Sequence, residues 1–426
     1  MPRYLVINRF DDEFGEYHRF VPAKDHRLAY ITLQHGLPIL DTDGALDTVV
    51  VDDLTFETVL PVARRLTADL GPFDGVVGIS ERDVLTAARL RTALGIAGWT
   101  PEFVSAFRDK PRMKEIVGAA GLPVPRFQAV GEDTTAERVV ADLGLPVILK
   151  PRDGAGSKGV VLARSVAGLA EALADARSSP AGPDGYECEE YVAGDIYHVD
   201  GIRRGGLFHF VSASVYVNTC LDFMDGMPLG SLLLDEGDGT RDRLIAFASR
   251  CLDALGLRDG PFHLEVFGRP DGELVFLEIG LRPGGAEVAF IHRDLFGIDL
   301  FGEAFRATLG LPPLTPREAF RPAAAGGWVS VPEPRPLPSR ALSRTSMLGV
   351  VPEVYAEVIP DVGAVFDGTG GYDHIGGRFR LRGPDHATVR RGVLEVMARY
   401  ELIAEPIGRA GCATWSRVPA HGPKGD

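Results

Sequence analysis

The chain has 426 residues, more than one ordinary core of about 50–200 residues supports, so two or three domains packed as one unit are expected. Its 45% hydrophobic and 24% charged residues are ordinary for a soluble globular enzyme. A net charge of -14, from 45 basic and 59 acidic residues with no basic run, leaves no nucleic-acid footprint, and the acidic excess bears mainly on solubility.

In chain order, residues 4–8, 49–51 and 75–79 read as buried strands, and the apolar periodicity of 56–70 and 84–94 as helices between them. This alternation predicts a parallel sheet with crossover helices, a small α/β domain reaching about residue 105. A helix over 111–120 is stopped by Gly121, Pro123 and Pro125. Strands follow at 146–151 and 160–163, then a helix at 166–176, a polar stretch at 178–185 and a strand-like segment at 186–192. Residues 185–282 are largely strand-like, with one helix at 241–255. Residues 310–344, rich in proline and weakly periodic, read as an extended connection. Strand patterns with one helix at 387–400 close the chain, and 420–426 reads as a frayed tail.

The apolar run at the N-terminus is shorter than the ~7–15 residues a signal peptide needs, and no run reaches the ~18 residues of a membrane span. A cytoplasmic protein without a membrane anchor is expected. Cys188, Cys220, Cys251 and Cys412 form no CxxC pair, so they read as reduced thiols rather than a disulfide framework or zinc site. Cys188 reads as a buried bystander.

Asp153-Gly154-Ala155-Gly156-Ser157-Lys158-Gly159 matches GxGxxG. A dinucleotide-binding loop of that form needs a helix directly after it, whereas Val160-Val161-Leu162 is a strand pattern. A strand–loop–strand arrangement makes a flap whose backbone N–H groups cover phosphates, with Lys150 beside them as a fixed charge; an ordinary glycine hairpin is the alternative. The Walker pattern is absent. His292-Arg293-Asp294-Leu295 imitates a kinase catalytic loop, but Asp299 stands where asparagine is needed and no DFG follows, so a kinase is excluded. His292 and Arg293 are expected at a helix start, facing solvent or substrate.

The most informative stretch is a predicted hairpin, with strands around His263-Leu264-Glu265-Val266 and Phe276-Leu277-Glu278-Ile279 joined across Pro270-Asp271. A two-residue turn puts His263 opposite Glu278 and makes Glu265 and Glu278 diagonal neighbours on one face, about 7–8 Å apart. Carboxylates in such apolar strands are costly unless paired or bound to metal, and magnesium favours one or two carboxylates with phosphates and waters. The alternative is a pair of acids on a solvent face. Arg282 follows directly and suits bidentate phosphoryl binding, although alone it reads equally as a salt-bridge residue.

In this order the parts resemble the ATP-grasp superfamily, from Asp109-Lys110, with Met113-Lys114 following, to about Leu300 and more weakly on both flanks. The resemblance implies an α/β fold of ATP-grasp architecture. Residues 1–108 would form a Rossmann-like parallel-sheet domain and 109–192 a small α+β nucleotide lobe. Residues 193–310 would form a larger antiparallel-sheet lobe with the metal site, and 311–426 its C-terminal part.

It implies that Lys110 and Lys150 contact phosphates and that Gly154, Gly156, Ser157 and Gly159 form the mobile loop. Glu189, Glu190, Tyr191 and Val192 would make the adenine hinge, His198 would contact ribose, and Glu265 and Glu278 would ligate magnesium or manganese. Arg282 would stabilise the transferring phosphoryl group. His263 is expected to position a substrate, act as a base, or pair with Glu278.

Two departures stand out: Ile196 lies where many members carry a ribose-binding glutamate, whose part His198, Asp195 or Asp200 would take, and Gly280 where many carry a metal-ligating asparagine. The small residue at 280, His263-x-Glu265, Arg282 and the glycine-rich C-terminal extension resemble the bacterial L-amino-acid (dipeptide) ligase branch.

That branch implies ATP-dependent joining of a small carboxylate to an amine through an acyl phosphate, by a homodimer. An ATP-dependent carboxylase, suggested by His198-Val199-Asp200, and a regulatory nucleotide-binding module are the alternatives.

Overall fold

The computed structural model describes residues 1–320, 325–368 and 375–407 and the backbone of 413–414. Cys412 and the 420–426 tail lie outside the described residues. Four sheets organise the chain.

The first sheet is parallel, in the order Thr48–Val50, Arg27–Thr32, Arg3–Asn8, Gly75–Val77. Helices Phe56–Leu70 and Val84–Leu94 pack on it through Val59, Ala63, Leu66, Ala87 and Leu90. The strand Arg27–Thr32 is absent from the sequence reading. Its residues 28–32 are all buried, so no period-two alternation marks it.

The second sheet is antiparallel, in the order Phe127–Ala129, Tyr186–Glu190, Val147–Pro151, Val161–Ala163. Helices Ala136–Leu143 and Val166–Ser178 cover one face, with Val139, Leu143, Leu169 and Leu173 packed on Val147, Leu149 and Cys188. Because side chains alternate along a strand, Ile148, Lys150, Glu187 and Glu189 are left for the opposite face. Cys188 is fully buried in the helix-covered core, where burial pushes its thiol up to about 12.

The third sheet has eight antiparallel strands, in the order Leu274–Gly280, Gly260–Gly268, Asp195–Arg204, Leu207–Val217, Leu229–Leu233, Ala325–Val331, Gly377–Gly383, Val354–Val358. Helix Gly239–Ala254 packs on its first half and helix His386–Arg399 on its second.

The expected extended connection over 310–344 is corrected here. Ala325–Val331 is a wholly buried strand inside this sheet, and Ser339–Arg344 pairs with Val365–Phe366 and Leu402–Pro406 in the fourth. Gly326 and Gly327 weaken the strand signal, yet the packing requires a small residue: a Cβ at 327 would lie 2.7 Å from the Ser231 carbonyl oxygen. No helix among the described residues is long and apolar enough to cross a membrane.

Candidate nucleotide and metal site

A cavity of about 380 Å³ lies between the second and third sheets, within the range of small-molecule sites. The second sheet contributes Ile148, Lys150, Leu162 and Glu189, and the third Ile196, Glu265, Phe267, Leu277 and Glu278. Residues 190–194 join the two walls, and Gly154–Lys158 form a third side. Apolar side chains such as Ile148, Leu162, Val192 and Ile196 line the cavity together with Lys110, Lys150, Glu265 and Glu278. Gly159, at φ +76°, ends the loop without lining the cavity; Gly156 lines it at φ +63°.

The hairpin register differs from the expected one. Gly268 pairs with Leu274 and the Arg269 N–H donates to the Glu273 carbonyl, so the connection is one residue longer than a two-residue turn. A bulge at Leu277 then shifts the register again. The two shifts put Glu265 directly opposite Glu278, and His263 opposite Gly280 rather than Glu278. The acids share one face more closely than the diagonal arrangement allows.

Asp109 caps helix Lys110–Ala119, accepting from the Arg112 N–H, and fixes Lys110 in its first turn. Lys110 Nζ lies 3.1 Å from Glu278 Oε2 and donates to the Gly154 carbonyl at 2.6 Å, tying the metal face to the glycine loop. Burial alone would raise the Glu278 carboxyl, but Lys110, Lys150 and Arg282 outweigh it and hold it at about 2. Glu265 Oε1 accepts from the Tyr216 hydroxyl at 2.9 Å. Two carboxylates side by side, open to a cavity with lysines around it, are a donor set that suits magnesium.

Lys150 Nζ is 2.9 Å from Glu189 Oε2. Glu189 also receives Lys114 Nζ at 2.5 Å, and Lys114 donates to Glu187 at 2.7 Å. The sequence reading gives no role to Lys114, which enters it only within the resemblance at Met113-Lys114, or to Glu187, although Lys114 lies one helical turn after Lys110 on the same face. Glu190 instead binds Arg126 and Arg269.

His198 does not line the cavity, contrary to the ribose expectation. It is buried in the sheet, with Nδ1 2.5 Å from Asp200 Oδ2 and Nε2 2.7 Å from Ser231 Oγ. His263 Nδ1 meets Asp200 Oδ1 at 2.8 Å, and its Nε2 lies 3.5 Å from Glu265 Oε1. Its partners are thus Asp200 and Glu265, not Glu278. Burial lowers its pKa, but Asp200 dominates and lifts it to about 9. His198, Asp200 and His263 are close enough to share a metal, yet their facing atoms already satisfy one another. His292 also departs from expectation: it is buried in a π-helical turn, bonded to Ser212 and the Val288 carbonyl.

Arg282 Nε donates to Glu81 Oε2 at 2.7 Å, and Arg108 grips the other Glu81 oxygen. Arg108 also reaches the Asp153 carbonyl at 2.5 Å. Glu81 follows the strand Gly75–Val77, at the carboxyl edge of the parallel sheet where ligands gather in α/β folds, and that position is the signal that identifies it. A Cβ at Gly280 would lie 2.7 Å from Glu81 Oε2, so the Glu81 side chain would have to shift to admit a larger residue there.

No family model matches the chain. It is 28% identical over 271 residues to an L-arginine-specific L-amino acid ligase of Bacillus subtilis, covering 62% of this chain and 64% of the relative. It is 27% identical over 273 residues to dapdiamide A synthase of Enterobacter agglomerans, covering 62% of each. These matches span less than two thirds of either relative's length. Among solved structures, an L-amino acid ligase from Bacillus licheniformis superposes with a TM-score of 0.74 at 19% identity, over 95% of this chain and 98% of that one.

Proposed function

We propose that this protein, which has the ATP-grasp fold and resembles the L-amino acid ligases, is an ATP-dependent carboxylate–amine ligase that forms an amide through an acyl phosphate. The observation that carries the reading is the opposed pair Glu265 and Glu278, set beside Lys110 and Lys150 in one cavity flanked by the glycine loop.

In this scheme a substrate carboxylate oxygen attacks the γ-phosphorus of ATP and ADP leaves. The amine nitrogen then attacks the acyl carbon, phosphate leaves, and the nitrogen loses its proton. Lys110 and Lys150 neutralise phosphate charge. Glu265 and Glu278 would hold magnesium, or manganese, which supplies further neutralisation there. Gly154, Gly156, Ser157 and Gly159 close over the phosphates and exclude water from the acyl phosphate. The apolar side chains Ile148, Leu162, Ile196 and Val192 take adenine against the hinge backbone of Glu189, Glu190 and Tyr191. Arg282 stabilises the transferring phosphoryl group and the oxyanion that follows, moving from Glu81 to do so.

The domain limits at residues 108, 192 and 310, a cytoplasmic homodimer, and amino acid or peptide substrates belong to the same proposal. A carboxylase is the second reading, since its fold and ATP chemistry are shared. Bicarbonate-dependent ADP release separates it from a ligase, whose ADP release requires a carboxylate together with an amine and yields a new amide by mass.

A further inference from the structure

Among the buried charges that the mechanism leaves unused is Lys114. Its side chain is 0% exposed, it lies behind the cavity wall rather than in it, and its ammonium sits 4.6 Å from the centre of the Phe127 ring. Its two carboxylate partners stand on one strand: Glu189, which faces the cavity, and Glu187, which does not. A lysine this far from water is retained at a desolvation cost, and its partners show where its charge is directed.

We propose that Lys114 is a positioning residue for nucleotide phosphates, drawing on Glu189 from behind so that the charge of Lys150 stays available to the cavity; this rests on the nucleotide-site reading above. Lys150 lies 2.9 Å from Glu189 and 3.8 Å from Glu187. Two carboxylates facing one lysine would hold that lysine back and cancel its field. The second lysine restores two cations to two anions, and Glu189 divides its hydrogen bonds between them. The directions of titration fit this division: burial lowers Lys114 while its carboxylates oppose, and Lys150 is raised because the same carboxylates outweigh its burial. The strand and helix enforce the geometry, since residues 187 and 189 share one face and Lys110 and Lys114 lie one turn apart.

The test is binding of adenosine and of a non-hydrolysable ATP analogue with magnesium, by calorimetry, to the full chain. Lys114→Met is expected to weaken the triphosphate by about tenfold or more while leaving adenosine unchanged, because only phosphates feel Lys150. Lys114→Arg, and the double variant Lys114→Met/Glu187→Gln with one cation facing one anion, are expected to recover most of the loss. The double variant also covers the case in which Lys114→Met does not fold, since it removes the carboxylate left in excess. Equal losses for adenosine and triphosphate, or no recovery in either second variant, would mean a merely structural lysine and overturn the inference. Wild-type protein that binds neither compound would remove the nucleotide site itself; wild-type binding with unaltered triphosphate affinity in Lys114→Met would overturn only the role of Lys114.

Discussion

Glu265 and Glu278 stand directly opposite one another across an antiparallel hairpin, and that pairing exists only because a longer turn and a bulge at Leu277 both shift the register. Either shift alone would put the two acids on opposite faces, since side chains alternate along a strand. If the pair holds magnesium, Glu265→Gln and Glu278→Gln are each expected to cut ATP turnover by about 100-fold or more and to raise the magnesium concentration needed for half-maximal rate. A magnesium titration of each variant checks this. Unchanged magnesium dependence would dissociate the pair from the metal.

Arg282 is expected to matter in the transition state more than in ground-state binding. Arg282→Ala should keep nucleotide affinity within a few fold while losing about 10²–10³ in turnover. The comparison is calorimetric ATP binding against steady-state ADP release, and unchanged turnover would end the assigned role.

The burial of His198 separates stability from catalysis. Removing its ring takes the partner from Asp200 Oδ2 and from Ser231 Oγ, while His263 still holds Asp200 Oδ1, so His198→Ala should cost about 1–3 kcal/mol in denaturant unfolding. Its apparent KM for ATP should stay within about twofold of wild type. A large rise in KM without loss of stability would return His198 to the ribose role that the sequence suggested.

Alkaline pH should destabilise the fold. Burial raises the phenols of Tyr17, Tyr30 and Tyr216 above the ordinary value of 10.0. A pKa raised in the folded state means stability that is fully present below pH 10 and lost as the pH climbs toward the folded values. Melting temperatures are therefore expected to be insensitive to these groups from pH 7 to about 9 and to fall above about 10. A melting temperature that holds to pH 11 would contradict the burial of these phenols.

Much of the site was legible because its residues obey short-range rules. Strand alternation places Lys150 and one capped helix places Lys110, whereas Glu265 and Glu278 reach their shared face through two register shifts that the sequence does not announce. The exceptions are long-range. Glu81 and Arg282 meet across 201 positions of sequence, and the signal for Glu81 is only its place after a parallel strand. The 325–331 strand escaped notice because it is buried on both faces and begins Ala-Gly-Gly, which removes the alternation that marks a strand. His198 illustrates a different limit: a motif resemblance supplied its role, whereas its partners Asp200 and Ser231 come from a two-residue step and a neighbouring part of the sheet.

The most direct test is ADP release by the purified protein with ATP and magnesium, across amino acids and small carboxylates offered singly and in pairs, with products identified by mass. ADP formation is expected to depend on a particular carboxylate and amine together and to be matched mole for mole by a new amide. ADP release driven by bicarbonate, with no amide under any pair, would contradict the ligase reading.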